Sequence, residues 1–362
     1  MAESLALGRR RFSLEVRQDM PKWRQFWLIL AGLVTGLVIA AVILMLSGVG
    51  AAALYTEFIV SIFSSPQSLS AVMVQAAPLL IVGLAAAIAF RVRFWNIGLE
   101  GQMIFGSIFC TLVAITDFGP ESLRLVIMLL AAALGGMVWI AVPGLLRIKL
   151  NLNEIISTLL LNYVALNFLL HLLYGSWKDP KSSFPNSEQY SPAERLPLLG
   201  WENLTMALPL ALVLAFVLWW LMERSRFGFF SRFAHANPRM AQAVGIPLVP
   251  VTFGAVLLSG ALAGIGGFAI SAGIEYRMTQ SFFMGYGFSG ILIAFLARNN
   301  PLAAIPVALL LAILFVTGQS LQVFYQIPGA MVQLIQAIIV MTVAAADFFI
   351  RHRVRLIHPG AA

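Results

Sequence analysis

Carboxylates and amides set inside long apolar stretches are the residues of this chain best placed to do chemistry. The segment RVRFWNIGLEGQMIFGS, residues 91–107, brings Asn96, Glu100 and Gln102 beside Gly98 and Gly101 at the start of an apolar run. A carboxylate within a membrane span is costly and ordinarily faces a cavity or a partner, so Glu100 is a candidate for a polar path. The competing reading is a helix end at the interface, with Glu100 paired to Arg91 or Arg93. In LNLNEIISTLLLNYVALNF, residues 150–168, Glu154, Thr158 and Asn162 recur every four positions and share one helix face, with Ser157 beside it. Such a stripe either lines an aqueous path or supplies interhelical hydrogen bonds, and the residues by themselves leave both open.

The stretch MGYGFSGILIAFLARNNP, residues 284–301, carries two decoys. Gly285, Gly287 and Gly290 spell a dinucleotide fingerprint, but no βαβ pattern surrounds them and the continuation is an apolar helix. Residues 287–290 read GFSG, like the serine motif of intramembrane proteases, yet the only later histidines are His352 and His358 at the chain end. A serine without a reachable base is no nucleophile. These glycines fit better as a helix break whose freed backbone groups face protein or a wet cavity, with close helix packing as the alternative. Gly260 with Gly264, and Gly32 with Gly36, have the spacing of packing motifs.

A further signal lies in ERSRFGFFSRFAHANPRMAQAVGIP, residues 223–247. Asn237 can cap, Pro238 suits the first helical position, Arg239 to Val244 can form two turns, and Gly245 can end them before Pro247. This is either a handle for a partner or an inert connector. The lysines, Lys22, Lys149, Lys178 and Lys181, follow Pro, Ile, Trp and Pro, so there is no Gly-Lys pair from which to build a phosphate loop. The chain is therefore not expected to hydrolyse ATP. Four scattered histidines give no H-E-x-x-H, and one cysteine, Cys110, excludes an intrachain disulfide and a multi-cysteine metal site. No catalytic set, resident metal or cofactor is expected.

The elements that must hold these residues are set by composition. The 362 residues are 60% hydrophobic and 10% charged, with a mean hydropathy of +0.91. Soluble domains run at roughly 45–50% apolar and 25% charged, so a soluble enzyme is excluded. Apolar stretches lie at 26–48, 70–90, 97–116, 124–146, 152–174, 204–222, 248–271, 282–297, 302–324 and 330–350. The expected fold is an all-α polytopic membrane protein of about ten transmembrane helices, with a 1–25 N-terminal segment, a transmembrane body at 26–350 and a 351–362 tail. An even count split five and five would relate the halves by inverted topology.

Starting from a cytoplasmic N-terminus, Arg91, Arg93, Arg147, Lys149, Arg224, Arg226, Arg232, Arg239, Arg298, Arg351, Arg353 and Arg355 fall inside. Only Arg124, Lys178, Lys181, Arg195 and Arg277 fall outside. The asymmetry predicts both termini in the cytoplasm, the 175–203 connection outside and the 223–247 connection inside. It also accounts for the net charge of +8 without nucleic acid.

Taken together and in order, FWNIGLEGQM, NEIISTLLLNY, ANPRMAQAVGIP and GYGFSGILIAFLARNNP resemble the nucleoside and simple-sugar permeases of ABC importers, within the wider family of ribose and branched-chain amino-acid permeases. The resemblance covers about residues 25–350 and implies an inner-membrane permease. Its implied partners are a second, related permease chain, ATP-binding subunits that use the ATP, an extracytoplasmic substrate-binding protein and membrane lipid. It makes Asn237, Pro238, Arg239, Met240 and Gly245 an ATPase-coupling helix. It also puts Asn96, Glu100 and Gln102, with Tyr286 and Ser289, near the translocation path, alongside the Glu154, Thr158 and Asn162 stripe. The FWNIGLEGQ form is more similar to the nucleoside branch than to the ribose branch. Rival readings are a simple sugar or branched-chain amino acid carried by the same machinery, a proton-coupled transporter using Glu100 or Glu154, and a polytopic membrane enzyme.

Overall fold

The structure is a computed structural model and describes residues 4–7, 10–17, 20–280 and 285–357. Two compact units divide it, one of residues 61–316 and one of residues 1–60 with 317–362.

In the larger unit, α3 (Ser61–Ser64) leads into α4 (Pro66–Arg91). Ser65 caps α4 by accepting the Ser68 N–H, and Pro66 takes the first turn, where no amide is needed. There follow α5 (Leu99–Ile115), α6 (Glu121–Leu150), α7 (Glu154–Tyr174) and α8 (Ala207–Arg224). The junction between α6 and α7 is written locally: Arg147 and Lys149 sit in the last turn of α6, Asn151 turns left-handed at φ 52°, and Asn153 accepts the Ile155 N–H at 2.9 Å to start α7. The unit continues with α9 (Arg226–Ala236), α10 (Pro238–Ala243), α11 (Leu248–Ile270, extended by the π-helical turn Ser271–Glu275), α12 (Tyr286–Leu296) and most of α13 (Ala304–Tyr325).

Each expected apolar stretch becomes a helix, yet the helices are unequal. Among the described residues, eight helices are long and apolar enough to cross a membrane. Helix α5 has 17 residues and α12 only 11, whereas a span takes about 20. Residues 281–284, inside the expected 282–297 stretch, lie outside the described residues. The expected connection at 223–247 is also more ordered than its composition suggests, since it holds both α9 and α10. Ser225 starts α9 by accepting the Gly228 N–H at 3.1 Å.

Helix α11 packs on α4, α5 and α6. Lipid chains are as apolar as leucine, so close van der Waals fit rather than water exclusion drives such packing. Gly260 and Gly264 provide it: a Cβ at Gly260 would lie 2.5 Å from the Gly136 carbonyl, and one at Gly264 would collide with the Ala132 carbonyl.

The smaller unit contains α1 (Lys22–Leu46), α2 (Ala51–Tyr55) with the π-helical turn Thr56–Val60, the end of α13, and α14 (Gly329–Arg351). Gly32 and Gly36 lie against α14, where added Cβ atoms would meet Ala346 and Thr342. A three-stranded antiparallel sheet departs from the all-α expectation for the chain ends: β1 (Ser4–Leu7), β2 (Arg10–Val16) and β3 (His352–Ile357). The β2–β3 register runs from Arg11 opposite Ile357 to Val16 opposite His352. The strand before α1 thus pairs with the strand after α14.

Candidate functional site

The chain between α4 and α5 leaves helical geometry at Arg93, where φ is 58°, and restarts at Leu99. Backbone groups freed this way inside a membrane protein must be satisfied by neighbours. Asn96, fully buried, does much of this. Its Nδ2 donates to Gln102 Oε1 and to Ser259 Oγ, each at 3.0 Å, and its Oδ1 accepts from Gln102 Nε2 at 2.8 Å and from the Gly98 N–H at 3.1 Å. Ser259 of α11 in turn donates to the Ala85 carbonyl of α4 at 2.6 Å. A reciprocal amide pair thereby pins the restart of α5 between α4 and α11.

The α7 stripe meets the same restart. Asn162 Oδ1 accepts the Gly101 N–H at 2.8 Å and its Nδ2 donates to the Ile97 carbonyl at 3.0 Å. Thr158 Oγ1 donates to the Glu154 carbonyl at 2.6 Å and faces the Ile97 N–H at 3.3 Å. Gly98 is required here, since a Cβ would lie 2.8 Å from the Thr158 carbonyl. Glu154 is separate: it pairs with Arg147 Nε at 3.3 Å, at the α6–α7 corner. Of the two uses open for the stripe, Thr158 and Asn162 therefore have hydrogen-bonded partners on α5 and its lead-in.

Glu100, buried in the first turn of α5, points across to the start of α12. Its Oε1 accepts the Gly285 N–H at 3.0 Å. The free amides and positive end of a helix N-terminus suit a carboxylate. Gly287 makes this approach feasible, because a Cβ there would sit 2.6 Å from the Glu100 nitrogen. Gly285 takes φ +76° to begin the helix. The second oxygen, Oε2, is buried without a hydrogen-bond partner among the described residues. Glu100 does not pair with Arg91, which instead binds the Met222 carbonyl at 2.9 Å and Glu223 at 3.2 Å.

On α12, Tyr286 is buried; its hydroxyl donates to Gln75 Oε1 of α4 at 2.5 Å, and its ring lies 5.0 Å from that of Phe315. Ser289 is buried one turn on, its N–H bonded to the Gly285 carbonyl at 2.9 Å. The structure thus gathers Asn96, Glu100, Gln102, Thr158, Asn162, Tyr286 and Ser289 around the N-termini of two short helices. Gln75, Ser259 and Arg147 complete the polar contacts, and no motif in the sequence marks them. The partners of the first two lie far along the chain, 211 residues away for Gln75 and 163 for Ser259.

At the elbow where α9 gives way to α10, Asn237 Oδ1 accepts the Met240 N–H at 3.1 Å, Pro238 opens α10, and Gly245 closes it at φ +78°. The helix stops at Ala243, one residue short of expectation. Asn237, Arg239, Met240 and Gly245 are exposed, Met240 by 57%. Among the described residues no group of three His, Cys, Asp or Glu side chains comes together to hold a metal.

Long apolar helices, two short helices whose N-termini meet and a buried polar junction describe a polytopic membrane protein. The model of the branched-chain amino acid transport system permease component matches residues 68–344, and the chain belongs to that family of ABC transporter permeases. Its relatives include a glucose ABC transporter permease of Haloferax volcanii, 33% identical over 94% of this chain and 93% of the relative. A guanosine ABC transporter permease of Bacillus subtilis is 29% identical over 88% of this chain and 92% of its own length. A nucleoside ABC transporter permease of Lactococcus lactis is 26% identical over 89% and 92%. Permeases of this family work with ATP-binding subunits and a substrate-binding protein, and carry no ATPase site of their own.

Proposed function

We propose that the chain forms the translocation path of an importer for a nucleoside, beside a second, related permease chain in the cell's inner membrane, with both termini cytoplasmic. The observation that carries the path is the junction at Glu100, where the N-termini of α5 and α12 meet and one carboxylate oxygen stays unpaired. An acceptor of this kind suits a neutral solute rich in hydroxyl and N–H donors, and a nucleoside offers both. The guanosine and nucleoside relatives support this choice. A sugar is the second reading, favoured by the 33% identical glucose relative.

The orientation rests on the basic asymmetry and on the pairing of β2 with β3, which brings the segments flanking α1 and α14 together. The exposed, capped α10 then lies in the cytoplasm, where Asn237 to Gly245 would dock in the ATP-binding subunits. The experiment is uptake by the full assembly in vesicles supplied with ATP. Labelled guanosine should accumulate, resist excess glucose and survive a proton uncoupler. Accumulation of glucose alone would move the reading to a sugar, and collapse with the uncoupler in the absence of ATP dependence would overturn the importer.

A further inference from the structure

An acidic residue at the elbow is held by arginines from two different helices. Glu223, at the end of α8, gives Oε1 to Arg91 Nη2 at 3.2 Å and Oε2 to Arg232 of α9. Arg91 is the last residue of α4, and the same Nη2 also donates to the Met222 carbonyl at 2.9 Å. Its side chain is only 14% exposed and its Nε has no partner, so the guanidinium depends on this corner. The corner itself is stiff. Ser225 Oγ donates to the Leu221 carbonyl at 2.5 Å and accepts the Gly228 N–H, while Gly228 lies directly on the Met222 carbonyl, where a Cβ would not fit. Helix α9 therefore cannot shift without carrying the end of α8, and with it Glu223.

What Arg91 holds at the other end of α4 matters as much. Helix α4 is the most deeply buried of the long helices. It carries Gln75, bonded to Tyr286, and Val82 and Gly83, which pack directly on Gly290 and Ile293 of α12. From Gln75 to Arg91 the helix runs about 24 Å at 1.5 Å per residue. One continuous helix, with Pro78 inside it a turn after Gln75, thus joins the elbow to the start of α12.

We propose that Glu223 is the positioning residue that fastens the α9–α10 elbow to α4, so that a displacement of the elbow reaches the Glu100–Tyr286 junction through α4. The proposal rests on the coupling role given to α10 above. A ligand or partner shifts an equilibrium only through contacts that differ between its two states, and a carboxylate shared one oxygen to each arginine is satisfied only while the corner is closed. The Arg232–Glu223 pair is exposed on both sides, and such pairs add little to stability, so losing it should spare the fold, while Glu223→Gln still leaves Arg91 an acceptor.

The test uses the full assembly in proteoliposomes with loaded binding protein, reading co-purification of the ATP-binding subunits, ATP hydrolysis, and substrate moved per ATP. Glu223→Gln should keep the subunits and their hydrolysis while transport per ATP falls about tenfold, within the usual span of coupling between sites. Glu223→Asp, which keeps the charge, should stay within about threefold of the parent. Arg232→Gln, on an exposed side chain, should reproduce the uncoupling and decides the matter if Glu223→Gln does not accumulate. Parental transport per ATP in Glu223→Gln or Arg232→Gln would overturn the relay. Loss of the ATP-binding subunits from Glu223→Gln would also overturn it, since Glu223 would then be a docking contact. Met240→Asp, run in parallel, separates the two ideas: if it leaves docking and uptake intact, the role of α10 fails, whatever Glu223 does.

Discussion

Glu100 sets its carboxyl group where the Gly285 amide at the start of α12 points at it, and the polar junction is built around that arrangement. Glutamine at this position keeps an acceptor for the Gly285 N–H but removes the charge that the helix terminus favours, a loss of about 0.3–1 kcal/mol for an exposed site and up to about 2 when partly buried. Glu100→Gln should therefore assemble with a small drop in melting temperature in detergent, while guanosine uptake falls severalfold. Undiminished uptake would remove the carboxylate from the path. Asn162 makes a different prediction, because both of its amide atoms serve the backbone of the α5 restart. Asn162→Leu strands the Gly101 N–H and the Ile97 carbonyl, each costing about 1–3 kcal/mol if it stays unpaired. Thermal unfolding of the purified variant should show the loss, with uptake falling in proportion to folded protein.

The elements reach this junction because small residues let their backbones approach. Gly264→Leu would drive a side chain into the Ala132 carbonyl of α6, and the expected outcome is loss of folded protein by size-exclusion chromatography. Gly245→Ala meets no neighbouring atom and pays only for its left-handed φ of +78°, about 1–2 kcal/mol at most. It should accumulate normally while weakening the stop of α10. The contrast tests whether close approach or backbone conformation holds each glycine. Helix α10 is legible in the sequence because its signals are local: Asn237, Pro238 and Gly245 cap, open and close it within a short stretch of chain. Helix α9 is not, since RFGFFSRFAHA is too polar on average to stand out as an apolar stretch, and it packs on α8 and α11.

For the whole molecule the sharpest prediction concerns sidedness. The single native cysteine, Cys110, is fully buried, so maleimide labelling starts from a silent background. A cysteine at the exposed Ser183 should react with an impermeant reagent added outside, and one at the exposed Gln242 only after the membrane is opened. The reverse pattern would invert the proposed orientation. Ser187, equally polar and close to Ser183 in the chain, is a poor probe: it is buried, with its N–H on the Met278 carbonyl at 3.0 Å and its Oγ accepting the Met278 N–H at 2.9 Å. The 175–203 connection is thus a docked strip, in which Tyr190 bonds Thr111 at 2.5 Å and Leu196 bonds the Ala272 carbonyl at 2.8 Å.

Composition and hydropathy are enough to set the class, because unbroken apolar runs of about 20 residues can satisfy their backbone polar groups in lipid within each run only as helices. Motifs of fixed spacing are enough for the family, and local capping chemistry for α10. Tertiary structure alone decides which polar residues meet. Asn96 and Glu100 are near neighbours in the sequence, yet one turns to α11 and the other to α12, because the chain leaves helical geometry just ahead of them and restarts at Leu99. It also decides that Glu223 serves two arginines, one of them 132 residues away. Such pairings depend on how helices pack, and packing is set by shape across the whole molecule, which no local pattern records.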